Sequence, residues 1–183
     1  MTQTIESAEL FVKERYSNTA RTDGVLHLDH LKGVVTRLKS LGISDEDILA
    51  SAWLYGIMNE AKATFDEIDK RFGSKIAVLA LASFRDNTIP KDQIEKQHVK
   101  QLKESPVEVK IIKLCDMSTS FKDLKNATWS KTKKTKYVKK ELYYLNIMKQ
   151  DLAKAKYQYP GIQNIVNGIN ETSATYGQRP FVL

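Results

Sequence analysis

Apolar residues recur at helical spacing along most of the chain, and short polar breaks separate the periodic stretches. This pattern predicts an all-α fold of about nine helices. Their starts are predicted near Thr4, Asp29, Asp45, Phe65, Ser74, Lys91, Pro106, Ser130 and Pro160. The third helix is expected to run through a strongly apolar stretch, residues 50–58, and to end at Asn59 and Glu60.

The length and composition fit one domain. With 183 residues, of which 42% are hydrophobic and 28% charged, the chain is long enough to bury a full core. We expect a domain over residues 1–172 and a tail over residues 173–183 that wraps over the surface or frays. No stretch reaches the roughly 18 to 20 apolar residues of a membrane span, and no secretory signal is visible, so a cytoplasmic location is expected.

The positive charge is concentrated in one short run. Six of the ten residues from 131 to 140 are lysines: Lys131, Lys133, Lys134, Lys136, Lys139 and Lys140. Without these six lysines, the net charge of +7 falls to +1. The run predicts the exposed basic face of an amphipathic helix. Contact with polyanions is the functional alternative, although nucleic acid is not expected because Tyr137 alone would offer a stacking platform.

Two polar residues stand out against apolar surroundings. His30 opens an amphipathic helix whose apolar positions would direct it inward. Asp116 ends an apolar run that includes Ile111, Ile112 and Leu114. A buried carboxylate needs a cation or several hydrogen bonds, so Asp116 is a candidate site residue. The single cysteine, Cys115, cannot form an internal disulfide and is expected to be buried.

Several short motifs occur in a fixed order between residues 8 and 150. They are His30-Leu31-Lys32-Gly33-Val34, Thr64-Phe65-Asp66-Glu67-Ile68, Arg71-Phe72-Gly73, Thr88-Ile89-Pro90-Lys91, Ser105-Pro106, Lys113-Leu114-Cys115-Asp116 and Trp129-Ser130. In this order and spacing they resemble the HD-domain alarmone hydrolases of the RelA/SpoT homologue type, above all the small single-domain members that remove the 3′ pyrophosphate from ppGpp. The resemblance implies a single HD-domain helical bundle.

The resemblance also implies a metal site and a catalytic pair. The family holds a divalent metal, usually Mn²⁺, with four ligands, which fall by position on His30, Tyr55, Gly56 and Asp116. Its Glu-Asp pair, which assists the attacking water, falls on Asn59 and Glu60. Two ligands of the four are therefore replaced, as is one carboxylate of the pair.

The replacements change the expected chemistry. Gly56 offers no side chain, and Tyr55 would have to ligate as a phenolate although its reference pKa is about 10. We expect the tyrosine ring to fill the vacated volume and its hydroxyl to bond to His30 or Asp116. Hydrolysis by the family mechanism should then fail, because no cation lowers the pKa of the attacking water. No cofactor is expected if the site is degenerate, and Mn²⁺ is expected if it is active.

Partial retention of the substrate side would still support nucleotide binding. By the same resemblance, the residues that could bind a guanosine nucleotide such as ppGpp are Arg21, Arg85, Lys91, Lys96 and Ser120. Phosphate recognition by the four cations, Arg21, Arg85, Lys91 and Lys96, does not require a metal. Each of these four is also compatible with a solvated surface charge.

Three functions therefore stay open. The first is a degenerate alarmone-hydrolase homologue retained for nucleotide or protein binding. The second is an active phosphohydrolase with a remodelled metal site, built from His27, Asp29, His30, Glu60 and Asp116. The third is a basic protein that contacts polyanions through the lysine-rich helix. The sequence leaves the oligomeric state open.

Overall fold

The chain folds into a bundle of helices. The structure is a computed structural model, and it describes residues 3–183. In this range the elements are α1 Gln3–Tyr16, α2 His27–Ser40, α3 Glu46–Trp53, α4 Ile57–Glu60, α5 Phe65–Phe72, α6 Ser74–Leu81, α7 Lys91–Glu104, α8 Val107–Asp123, α9 Lys131–Gln158 and α10 Ile162–Ala174. The only extended pairing among these residues is an isolated bridge between Ala20 and Leu26. The predicted all-α class is confirmed.

The predicted helix over residues 50–58 is divided into two. Helix α3 ends at Trp53, and α4 begins at Ile57 after a turn at residues 54–56. Gly56 has φ +80°, in the left-handed region that favours glycine. Its N–H donates to the Ser83 hydroxyl at 2.9 Å instead of continuing the helix. The expectation of one continuous helix was wrong because this turn depends on a residue distant in sequence.

Helix α8 lies at the centre of the bundle and packs against α2, α9 and α10. The fit to α2 is close, since a Cβ added at Gly33 would lie 2.8 Å from the Thr119 Cγ2 atom. Fully buried core side chains come from these helices, among them Leu38, Leu114, Leu145 and Val166. Burial of each such side chain stabilises the fold by about 1.5–3 kcal/mol, and it fixes the polar residues that α2 and α8 also carry.

The end of the chain folds back on α10. Asn170 accepts the Phe181 N–H at 2.8 Å and donates its side-chain amide to the Phe181 carbonyl at 2.9 Å. Ser173 is buried within α10, so the segment after the last helix begins at residue 175, two residues later than predicted. In residues 3–183, no helix is both long enough and apolar enough to cross a membrane.

Candidate functional site

A polar cavity of about 300 Å³, here called the central pocket, lies between α2, the turn at residues 54–56, α4 and α8. Nine residues predicted from the sequence line it: Arg21, His27, His30, Tyr55, Gly56, Asn59, Glu60, Arg85 and Asp116. Ser83, Asn87, His98 and Lys113 line it as well. The structure therefore brings together most of the predicted site, although the residues come from distant parts of the chain.

His30 lies between two carboxylates at the start of α2. Its Nε2 atom is 2.9 Å from Asp116 Oδ1, and its Nδ1 atom is 3.2 Å from Asp123 Oδ2. Burial alone would lower the pKa of His30, but the hydrogen bonds to Asp116 and Asp123 outweigh burial and raise it. Both ring nitrogens are thus engaged with carboxylates.

Asp116 is bound on its other side by a buried lysine. Lys113 Nζ donates to Asp116 Oδ2 at 3.0 Å and forms an ion pair with Glu141 Oε2 at 2.8 Å. Burial would raise the pKa of Asp116, but the charge of Lys113 and the hydrogen bond of His30 hold it well below its usual range. Burial likewise opposes the charge of Lys113, and Glu141 and Asp116 overcome it, so the pKa of Lys113 is raised. These groups form a buried charge network.

Tyr55 and Gly56 contribute no charged ligand to the opposite side of the pocket. Burial raises the pKa of the Tyr55 hydroxyl, so it stays neutral. The expected hydrogen bond from this hydroxyl to His30 or Asp116 is not formed, because His30 and Asp116 are already satisfied by each other, Asp123 and Lys113. The Tyr55 ring packs against the hydrophobic core and lines the pocket wall.

Asn59 has a structural role in the loop that follows α6. Its side-chain amide donates to the Arg85 carbonyl at 2.7 Å, and its oxygen accepts the Arg85 N–H at 2.8 Å. A glutamate could accept but not donate in this arrangement. The asparagine therefore fixes the backbone that carries the Arg85 guanidinium into the pocket.

Glu60 forms a second His-carboxylate pair at the pocket mouth. Its Oε2 atom lies 3.0 Å from His27 Nδ1 and accepts a hydrogen bond from the Tyr16 hydroxyl at 3.1 Å. The Tyr16 ring stacks on the His27 ring with centroids 4.3 Å apart. The five residues of the proposed remodelled site are thus not one cluster: His27 pairs with Glu60, His30 pairs with Asp116, and Asp29 lies outside the pocket lining.

Two arginines direct positive charge into the pocket. Arg21 Nη2 donates to Ser120 Oγ at 3.2 Å and lies 3.4 Å from Asp23, while Arg85 Nη2 donates to His98 Nε2 at 3.1 Å. Burial and the neighbouring Arg85 charge lower the pKa of His98 to about 3, so its ring is neutral. Among the described residues, three side-chain atoms are buried without a hydrogen-bond partner: Arg21 Nη1, His98 Nδ1 and Glu141 Oε2. The Glu141 atom is compensated by its ion pair with Lys113, whereas the other two atoms are not.

The remaining predicted nucleotide-binding residues lie outside the pocket lining. Ser120 is buried and accepts the Arg21 hydrogen bond. Lys91 is exposed at the first residue of α7. Lys96 has an 80% exposed side chain that pairs with Asp92 at 3.7 Å. Binding of a nucleotide by Lys91 and Lys96 stays a prediction.

The lysine-rich run forms the first turns of α9. Ser130 caps this helix by accepting the Lys133 N–H at 3.3 Å. Lys133 lies over the Trp129 ring at 4.1 Å, and Lys140 pairs with Glu95 at 3.0 Å. Lys131, Lys136 and Lys139 are exposed, as expected for a solvated basic face.

The residues present do not fit a divalent metal held by four protein ligands. Within the part of the chain that the structure describes, no three His, Cys, Asp or Glu side chains are arranged to hold an ion. The His30–Asp116 pair would supply two donors, and Gly56 and the neutral Tyr55 add none. A hard divalent cation requires more oxygen or imidazole ligands than this.

Comparison with known families gives the class of protein. An HD-domain profile matches residues 8–145, and the chain belongs to the HD-domain family.

The relatives are more specific. The chain is 29% identical over 140 residues to the mouse protein named guanosine-3′,5′-bis(diphosphate) 3′-pyrophosphohydrolase MESH1, covering 74% of this chain and 78% of the relative. The human protein of that name is 28% identical, and the match again covers 74% of this chain and 78% of the relative. A guanosine-3′,5′-bis(diphosphate) 3′-pyrophosphohydrolase from Aquifex aeolicus is 26% identical. That match covers 75% of this chain but only 20% of the longer relative.

A solved structure supports the fold. It is described as a metazoan orthologue of SpoT that hydrolyses ppGpp and has a role in starvation responses. It matches with a TM-score of 0.69 over 96% of this chain and 90% of that chain, at 19% identity. The resemblance to small HD-domain ppGpp hydrolases is thus confirmed.

Proposed function

We propose that this protein binds a phosphorylated guanosine nucleotide of the ppGpp type in the central pocket without the hydrolysis for which its relatives are named. The observation that carries the proposal is the contrast in the pocket itself. Cationic groups converge there, whereas the side that the resemblance assigns to two metal ligands carries Tyr55 and Gly56.

The cationic groups support anion binding. Arg21, Arg85 and Lys113 all line the pocket. A buried donor without a partner costs about 1–3 kcal/mol, and Arg21 Nη1 and His98 Nδ1 are two such atoms in the described residues. A phosphate oxygen accepts hydrogen bonds from donors of this kind, and arginine binds it in bidentate fashion. Nucleotide phosphates would therefore accept hydrogen bonds from donors that have no partner within the protein.

The altered turn supports the absence of metal chemistry. Gly56 uses its N–H to fix the turn to Ser83, and Asn59 uses its whole amide to fix Arg85. Both residues thus stabilise the backbone of the binding pocket in positions where the relatives are expected to have acidic side chains. The guanosine specificity of the proposal rests on the relatives' names.

The second candidate is a hydrolase with a remodelled site. The contact that favours it is the His27–Glu60 pair at 3.0 Å, because a carboxylate that orients an imidazole is a common arrangement for proton transfer. In this candidate Mn²⁺, or another metal, would be needed at a site assembled only when the ligand binds.

Calorimetric titration with ppGpp, in the presence of a chelator, tests the binding. We expect saturable binding in the chelator, because the proposed contacts are hydrogen bonds and charges. The Arg21→Met and Arg85→Met variants should each weaken binding by about tenfold or more, as the loss of a charged hydrogen bond predicts. Lys70→Met is the matched control, since it removes an equal charge from an exposed residue outside the pocket lining, and its affinity should be unchanged. Equal weakening in all three variants would contradict the proposal.

Metal analysis and ppGpp turnover with added Mn²⁺ separate the two candidates. We expect no stoichiometric metal and no turnover. Stoichiometric Mn²⁺ with turnover that is lost in His27→Gln would instead establish the remodelled hydrolase.

The Tyr55→His/Gly56→Asp variant tests whether an inherited frame remains. The new carboxylate would lie near the Glu60 carboxylate, since a Cβ at residue 56 is 3.5 Å from Glu60 Cδ, and their repulsion favours a bound cation. We expect the variant to gain Mn²⁺ binding, measured by calorimetry. A folded variant that binds no metal would contradict the inherited-site argument.

A further inference from the structure

A second cavity lies on the other side of α8. It has a volume of about 440 Å³ and is lined by residues of α2, α8, α10 and the turn that follows α10; it is here called the lateral groove. Ser118 and Lys122 of α8 line the lateral groove, whereas Asp116 of the same helix lines the central pocket. At 3.6 residues per turn, Ser118 projects about 200° around the helix axis from Asp116, so the two cavities lie on opposite faces of α8.

Arg37 is the most constrained charge in the lateral groove. Its Nε atom donates to Ser118 Oγ at 3.1 Å, and its Nη1 atom donates to the Gly33 carbonyl at 3.1 Å. These two bonds hold the guanidinium at the groove wall. In residues 3–183 its Nη2 atom makes no hydrogen bond, and no carboxylate pairs with it directly.

The surroundings of Arg37 disfavour an uncompensated charge. Burial lowers the pKa of Arg37, and attraction to Cys115 and Asp123 only partly offsets this effect. The Asp123 carboxylate is already engaged by His30 at 3.2 Å. A half-buried cation without a direct partner is stabilised when an anion binds it, since the anion replaces lost solvation.

Two further cations and an apolar wall complete the lateral groove. Lys122 and Lys125 line it and are exposed, and Glu171 is the single acidic residue in the lining. Tyr176, which is half-buried, supplies aromatic surface, whereas the Phe121 ring behind the groove wall is only 2% exposed. Next to them, Gly168 leaves open space, because a Cβ built there meets no atom within 4 Å. The lateral groove therefore combines net positive charge with room for a planar ring.

We propose that the lateral groove is a second binding site, for a small phosphomonoester attached to a planar ring. The phosphate lies against the open edge of Arg37, with Lys122 and Lys125 neutralising its second charge. The ring lies over Gly168 and contacts Tyr176. This site is independent of the central pocket and of the function proposed for it.

Amide-resolved NMR titration with phenyl phosphate tests this site. We expect saturable shifts at residues around 118, 168 and 176, and weaker binding of inorganic phosphate, which lacks the ring. Phenol, which lacks the phosphate, should not bind saturably. Shifts confined to residues around 21, 85 and 116 would overturn the proposal, because they would place the probe in the central pocket. The absence of saturable shifts would also overturn it.

Two variants with the same loss of charge make the test specific. Lys122→Met/Lys125→Met should weaken phenyl phosphate binding by about tenfold, whereas Lys131→Met/Lys134→Met should leave it unchanged. Equal weakening would overturn the proposal, since it would reflect net charge alone. Arg37→Lys keeps the positive charge but loses the planar guanidinium with its several N–H donors. We expect a folded protein whose affinity for phenyl phosphate is lower than that of the unchanged protein but still measurable. An unchanged affinity would exclude Arg37 as the residue that holds the phosphate.

Discussion

The two sides of the central pocket use polar residues in different ways. On the α2–α8 side, His30, Asp116 and Lys113 neutralise one another across distances of 2.9 and 3.0 Å. On the α3–α4 side, Gly56 and Asn59 bond to Ser83 and to the backbone of Arg85. One side is a network of charges, and the other is a network of neutral hydrogen bonds that shapes a loop.

This difference shows that the two sides of one pocket can be stabilised by different kinds of interaction. The charges on the α2–α8 side are buried and cannot be removed singly without exposing a partner to an apolar environment. The α3–α4 side tolerates neutral residues because each one satisfies backbone groups that would otherwise be unpaired. The charged residues on one side and the neutral residues on the other therefore meet two separate stability requirements.

The largest effect is expected from Lys113→Met, which tests the charged side. The change leaves Asp116 and Glu141 buried at 9% and 4% exposure without their shared cation. Breaking a buried ion pair in this way costs about 3–5 kcal/mol. Urea unfolding should show this loss in the midpoint.

Lys131→Met is the control, because Lys131 is exposed and its loss should change stability by no more than about 0.5 kcal/mol. The Lys113→Met/Glu141→Gln variant should recover part of the loss, since it removes one of the two stranded charges. A loss of less than about 1 kcal/mol in Lys113→Met would show that the network contributes little to stability.

The sequence predicted one side of the pocket better than the other. His30 and Asp116 were identifiable because each is a polar residue in an apolar pattern, and such residues need partners. The role of Lys113 as the partner of Asp116 was not identified, nor was its second partner Glu141. Glu141 lies on α9, and its approach to α8 depends on how the two helices pack. Asp123 could have been suspected as a second partner of His30, because it lies seven residues, or two helical turns, after Asp116 on α8 and therefore on the same face.

The resemblance singled out Gly56 and Asn59 on the neutral side, but the sequence did not predict the backbone conformation there. The turn at residues 54–56 was hidden because the surrounding residues are apolar and fit a continuous helix. Gly56 was the available signal, but the bond to Ser83 that fixes the turn joins residues 27 positions apart. The role of Asn59 likewise depends on Arg85, whose loop position only the tertiary fold determines.

A smaller effect is expected from Asn59→Ala, which tests the neutral side. The change removes two hydrogen bonds to the backbone of Arg85 and leaves its N–H and carbonyl without those partners. We expect a loss of about 2 kcal/mol in urea unfolding. Asn87→Ala is a matched control, because Asn87 also lines the central pocket but makes no such pair of bonds in the described residues. Equal effects of the two changes would contradict the role assigned to Asn59.

His98 makes the stability of the protein depend on pH at the neutral side of the pocket. Its folded pKa of about 3 lies below the ordinary value of 6.5, so the folded state binds fewer protons than the unfolded state in this window. The contribution of the neutral ring to stability is complete above pH 6.5 and is lost as the pH falls from 6.5 towards 3. At pH 5.5, one unit below the ordinary value, the loss is about 1.4 kcal/mol. His98→Gln should remove this part of the difference in stability between pH 7.5 and pH 5.5, and an unchanged difference would contradict the assignment.

The smallest effect distinguishes two glycines. Gly56 has φ +80°, where a side chain is strained, so Gly56→Ala should destabilise the protein by about 1 kcal/mol. Gly168 lies inside α10 with no atom within 4 Å of an added Cβ, so Gly168→Ala should stabilise it by about 0.5–1 kcal/mol. Thermal and urea unfolding should therefore give opposite signs. If Gly56→Ala also stabilised the protein, the turn at residues 54–56 would have no conformational need for glycine, and residues 50–60 could form the continuous helix that their apolar pattern suggests.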